Sequence, residues 1–278
     1  MITRKEALEQ WSKLFSSWQM HKSYTSLLTL LEIWNKDNSN SILEREFRNF
    51  LSCIEEEYFY LPEGFINPKE KHKRRCFDFL AAITASLFDI PEKKWKQMFE
   101  QCTILNEKSG KATDSWSQLI ETVTKAPPKS YKEAIYTAAL EYLSKVEGQF
   151  DKLIRICFIW SKFSKNEDTL IEDVSRLKIK QIQHYFMINY GNECLFEGYN
   201  SHTRNAIAHS SFRFDENNEK MVFEDVPAKW KAEYTDPEIM KLSAKIMNVI
   251  LLTEILYAVI AIYDILYISD NLDPKHIS

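Results

Sequence analysis

Apolar residues recur along most of the chain at the three-and-four spacing of an amphipathic helix, with polar residues filling the positions between. The clearest stretch follows Ser130, where Ile135, Ala138, Ala139, Tyr142, Leu143 and Val146 share one stripe that continues through Phe150, Leu153, Ile154, Cys157 and Phe158. That spacing predicts a helix over about 130–165. Further helices are predicted over 41–60, 69–88, 91–105, 168–190, 199–209 and 236–268. Thr3 with Glu6, Ser41 with Glu44 and Ser130 with Glu133 form S/T-x-x-E boxes, which satisfy the orphan amides of a first helical turn. One segment departs from this period. Phe212–Asp215 and Met221–Phe223 alternate apolar with polar around a polar tip, Glu216–Glu219, containing Asn217-Asn218, which predicts a short β-hairpin. The expected fold class is all-α, a helical bundle with one short hairpin inserted before the C-terminal helix.

Two stretches interrupt the helical pattern: the polar segment Asn106–Thr113, which holds Gly110, and Lys125–Lys129, which holds Pro127-Pro128. The second is the expected domain boundary. Residues 1–125 then form an N-terminal helical region with no assigned role, and residues 130–278 a four-helix domain. No fixed-period repeat marks a solenoid. The long apolar segment Ile246–Ile268 is interrupted by Asn248, Glu254 and Asp264, so a buried core or dimer-interface helix is expected there rather than a membrane span. The chain opens on a charged amphipathic segment without the apolar core of a signal peptide, and a cytoplasmic location is expected.

Composition sharpens this picture in a few places. Hydrophobic residues at 45% and charged residues at 27% are ordinary globular usage. Five glycines are about a quarter of average usage, which suits helices and argues against glycine-rich phosphate loops. Five widely spaced cysteines include no C-x-x-C pair and no zinc-type spacing, so a reduced compartment is expected and a structural metal or other cofactor is not. The net charge of −4 gives no global pull on nucleic acid, so any such contact must come from a local patch.

The stretch Tyr199-Asn200-Ser201-His202-Thr203-Arg204-Asn205-Ala206-Ile207-Ala208-His209-Ser210 carries the candidate chemistry. Its Arg-x4-His spacing, with asparagine directly after the arginine, resembles the signature of the HEPN superfamily. The hairpin that follows and the long apolar helix that closes the chain extend the likeness to about 150 residues at the level of helix order. The resemblance implies a four- or five-helix bundle that dimerises and places arginine and histidine of both copies in a shared cleft. It also implies metal-independent endoribonuclease activity in a defence or toxin-antitoxin setting, with RNA as substrate and a regulatory or antitoxin partner. At the second position after the histidine some antitoxin-paired members carry tyrosine, where this chain has Ser211. Residues 1–125 match no family pattern.

The residue types fit that chemistry. Cleaving RNA without a metal takes a proton from a 2′-hydroxyl, stabilises charge on the phosphate and gives a proton to the leaving 5′-oxygen. A histidine such as His209 can serve as acid or base, while Arg204 stays charged and offers a planar fork to phosphate oxygens. Asn205 can orient the histidine or hold the ribose or phosphate. Residues five apart on a helix lie about 140° out of phase, so Arg204 and His209 converge only if the helix ends or distorts near His209. One histidine serves poorly as acid and base together, which makes a two-fold dimer with paired His209 residues attractive.

Other features have a plain reading beside a functional one. His202 is either a surface residue beside a helix cap or an aid to RNA binding. The run Lys69–Arg75, reading KEKHKRR, places Lys71, Lys73, Arg74 and Arg75 either on a phosphate-binding patch or on the solvated first turns of a helix. The aromatic residues fall mostly on helix stripes, as core residues do. Glu254 is expected either to pair with Arg204 across the bundle or to lie exposed. A non-catalytic HEPN module binding RNA, nucleotide or protein, and a helical scaffold with an accidental motif, are the alternatives to the ribonuclease.

Overall fold

The computed structural model describes residues 71–123 and 128–264, so the boxes at Thr3 and Ser41 and the helix over 41–60 lie outside the described residues. The architecture is helical with one small sheet. Helices α1 (Lys71–Leu87) and α2 (Glu92–Val123) precede α3 (Tyr131–Lys145), which passes through a π-helical turn (Val146–Phe150) into α4 (Asp151–Ser164). The single helix predicted over 130–165 is thus continuous, with one wide turn inside it. Short α5 (Ile171–Arg176) and α6 (Ile179–Tyr190) lead to α7 (Ser201–Ala208). Strands β1 (Phe212–Asp215), β2 (Lys220–Asp225) and β3 (Trp230–Tyr234) come next, then the long helix α8 (Asp236–Tyr263).

Helix α4 is the centre of the core: Leu153, Ile154, Ile156, Cys157, Ile159, Trp160 and Phe163 are fully buried. It packs against α1, α2 and α6. Removing that much apolar surface from water is the main stabilising effect here. Lys71–Glu254 forms one compact unit. Helices α2 and α3, on either side of the expected domain boundary, therefore belong to the same unit and pack on each other.

The interruption expected at Asn106–Thr113 does not occur: α2 runs straight through it. Gly110 disfavours a helix by about 1 kcal/mol, too little to outweigh the packing of α2 on α4, the π turn and α3. Conversely, the helix predicted over 168–190 is divided. Leu177 and Lys178 are extended (ψ 138° and 148°), and buried Arg155 donates to the carbonyls of Val174 and of Leu177, the latter at 2.9 Å. The guanidinium thus holds the two carbonyls on the α5 side of the break.

Ser130 caps α3 by accepting from Glu133 N at 3.2 Å, while the Glu133 carboxylate accepts from Lys129 N at 2.6 Å. The predicted hairpin forms, with Phe212 opposite Phe223 and Asp215 opposite Lys220. A further strand, β3, extends it to an antiparallel sheet of order β1-β2-β3. Gly198 sets the approach to α8 so tightly that a β carbon there would lie 2.8 Å from Ile246 N and from Leu242 O. Only glycine fits that contact. Among the described residues α8 is the one helix long and apolar enough to cross a membrane, and 72% of its most apolar window is buried within the fold.

Candidate functional site

The motif occupies α7 and both of its ends. Asn200 caps the helix, its side chain accepting from His202 N at 2.9 Å and Thr203 N at 3.0 Å. Its own amide donates to the hydroxyl of buried Tyr142 at 3.0 Å, and that hydroxyl donates to Gly198 O at 3.2 Å. Tyr142 thereby ties the start of α7 to α3. At the other end His209 is the C-cap residue. Ser210 N donates to Ile207 O and Ser211 N to Ala206 O, with Ser210 in the left-handed region at φ 53°. This is a Schellman ending with serine where glycine is usual. The helix therefore ends at His209, as the motif reading requires.

A chain of polar contacts runs across α7. The Arg204 Nε donates to Glu147 on the π turn. Its Nη1 donates to Asn205 Oδ1 at 2.9 Å. Asn205 Nδ2 donates to Asp225 Oδ2 at 3.1 Å, and the same oxygen accepts from His202 Nδ1 at 2.9 Å. The His202 ring stacks on Trp230 of β3, with centroids 5.3 Å apart. Asp225 is 8% exposed. The hydrogen bonds from His202 and then Asn205 hold its carboxyl below the usual aspartate value. Burial alone would lower the Arg204 value, but the hydrogen bond and charge of Glu147 more than offset this and keep it raised.

These residues open on a cleft of about 670 Å³. Arg204, Asn205, His202 and Asp225 line one side, Glu147 and Asp151 another, and Lys178 and Lys180 stand exposed on the segment where the predicted helix breaks. His209 is exposed and lines a neighbouring hollow of about 270 Å³. Asn205, Asp225 and Pro227 line both spaces. Arg204 and His209 thus line separate spaces that have these three residues in common. Among the described residues no group of three or more histidine, cysteine or acidic side chains is spaced to hold a metal ion.

The basic run divides. Its helix begins at Lys71, and buried His72 bonds Cys194 O at 2.8 Å through Nε2. Arg75 pairs with Glu197, which also takes Lys245 at 3.1 Å. The side chains of Lys71, Lys73 and Arg74 lie outside the described residues. Arg204 finds Glu147 rather than Glu254, and Glu254 is buried enough that its carboxyl is pushed up to about 7. Glu147, Asp225, Lys178 and Lys180 were not singled out in the sequence. Glu147 and Asp225 lie 57 and 20 residues from the motif residues they bind.

Comparison of the chain with models of protein families, with curated proteins and with solved structures finds no match in any of the three.

Proposed function

We propose that the chain is a metal-independent endoribonuclease of HEPN type, acting through Arg204, Asn205 and His209 in a defence or toxin-antitoxin role in the cytoplasm. The observation that carries this reading is the shared wall: Asn205 and Asp225 stand between the cleft holding Arg204 and the hollow holding His209. A phosphodiester lying across that wall meets a guanidinium fork, an amide and an imidazole together. Arg204 supplies charge to the phosphate, and His209 exchanges a proton with the ribose or the leaving oxygen. Lys178 and Lys180 offer charge to neighbouring phosphates. Proton transfer at both oxygens calls for a second group, and a second copy of the chain, paired through the C-terminal bundle, is one source.

The test is cleavage of single-stranded RNA by the purified protein in chelator. The expected products carry 2′,3′-cyclic phosphate ends, and His209→Ala is expected to lower the rate by about 100-fold or more. Undiminished cleavage by that variant removes the assignment. One observation favours a non-catalytic binding module instead: Glu147 already occupies the Arg204 guanidinium. RNA binding by the purified protein with no cleavage under any condition would establish that reading.

A further inference from the structure

We infer that His202, held by Asp225, is the second proton-transfer residue of the cleft, so that one chain carries both histidines needed to cleave a phosphodiester. This rests on the ribonuclease reading above but replaces the second copy of the chain as the source of the second histidine.

Three observations carry it. The Asp225 carboxylate is ionised, so the His202 Nδ1 at 2.9 Å must donate to it, which fixes the tautomer and leaves Nε2 as the nitrogen a ligand can reach. The ring is locked by its stack on Trp230, yet the side chain remains 30% exposed on the cleft that Arg204 lines. Seven residues separate His202 from His209, two helical turns, which returns both to one face of α7 about 10 Å apart along the axis. Asn205 lies on that face between them and binds the carboxylate that orients His202.

The step balances within the chain. His202 Nε2 takes the 2′-hydroxyl proton as the 2′-oxygen bonds to phosphorus. The bond from phosphorus to the 5′-oxygen breaks, and protonated His209 gives that oxygen its proton. The products are a 2′,3′-cyclic phosphate and a 5′-hydroxyl. Asp225 is a positioning residue that holds the His202 ring through Nδ1.

The experiment compares RNA cleavage by the unsubstituted protein, His202→Asn, His202→Gly and His209→Asn. Asparagine at 202 places an amide nitrogen where Nδ1 stands and keeps a donor to Asp225, so a merely structural role survives it, whereas loss of Nε2 is expected to cost about 100-fold or more. Added imidazole is expected to restore part of the activity of His202→Gly. Mixing His202→Asn with His209→Asn is expected to restore nothing, because each chain then lacks one of its own two groups. Near-normal cleavage by His202→Asn, or recovery on mixing, overturns the inference while the ribonuclease reading stands. No cleavage by the unsubstituted protein overturns both.

Discussion

Glu147 and Arg204 are joined across the cleft by an ion pair between the π turn and α7, with side chains 27% and 34% exposed. The carboxylate takes the Nε donor, one of those a phosphate would use. Glu147→Gln is expected to tighten binding of single-stranded RNA several-fold and to steepen its dependence on salt, because one more cation becomes available to phosphate. Partly exposed pairs contribute little, so the melting midpoint should change by less than the equivalent of about 1 kcal/mol. Fluorescence anisotropy at two salt concentrations, with a thermal melt, checks both; equal affinity for the two proteins would show that Glu147 does not compete with RNA.

Gly198 and Gly110 are expected to respond in opposite directions to alanine. At Gly198 the added carbon meets backbone atoms of α8 at 2.8 Å, which must move apart, so a loss of about 3 kcal/mol is expected. At Gly110, inside α2, nothing lies within 4 Å, and the same change is expected to stabilise by about 0.5–1 kcal/mol. Urea denaturation of the two variants separates tight helix packing from helix propensity.

Glu254 makes stability fall as pH rises. Burial pushes its folded value up from 4.5 to about 7, so between those values the folded protein holds a proton that the unfolded chain releases. Its contribution is most favourable below pH 4.5, declines through the interval and levels off above about 7. Glu254→Gln should flatten this dependence and raise stability at pH 8 by on the order of 2 kcal/mol. Denaturation midpoints from pH 5 to 8 test it, and parallel curves for the two proteins would remove Glu254 as the cause.

Cys102 and Cys157 are fully buried, and burial pushes both thiols up, Cys157 to about 12. Neither is a thiolate near neutrality, and neither is reachable. Iodoacetamide at pH 7.5 should leave both unmodified in the folded protein and label both in denaturant, as read by peptide mass spectrometry. Labelling of either in the folded state would reveal opening of the core around α4.

Much of the helical architecture was legible because its cause is local. The stripe from Ile135 to Phe158 has the right period, and Ser130 has its glutamate in reach. The break at Leu177-Lys178 was not legible, since the guanidinium that binds the carbonyls beside it belongs to Arg155 in another helix. Strand β3 was missed although Trp230, Ala232 and Tyr234 alternate with Lys231 and Glu233, because the segment is short and neither face is fully buried. Within the site, α7 and its ending near His209 could be read from the motif. His202 was seen without its meaning: the carboxylate that orients it arrives 23 residues later, at the end of a strand. Pairings set by tertiary folding leave no spacing for a sequence pattern to carry.

The π turn at Val146–Phe150 bears on how this cleft tolerates genetic change. A π turn is an α-helix carrying one surplus residue, and a single residue is worth about 100° of rotation. The wide turn absorbs that rotation, so loss of one codon between Val146 and Phe150 would close it into ordinary α-helix and leave α3 and α4 in their present phase. What would change is the place of Glu147, which the wide turn sets beside Arg204. The surplus residue thus decides where one carboxylate stands, not whether the two helices continue into one another.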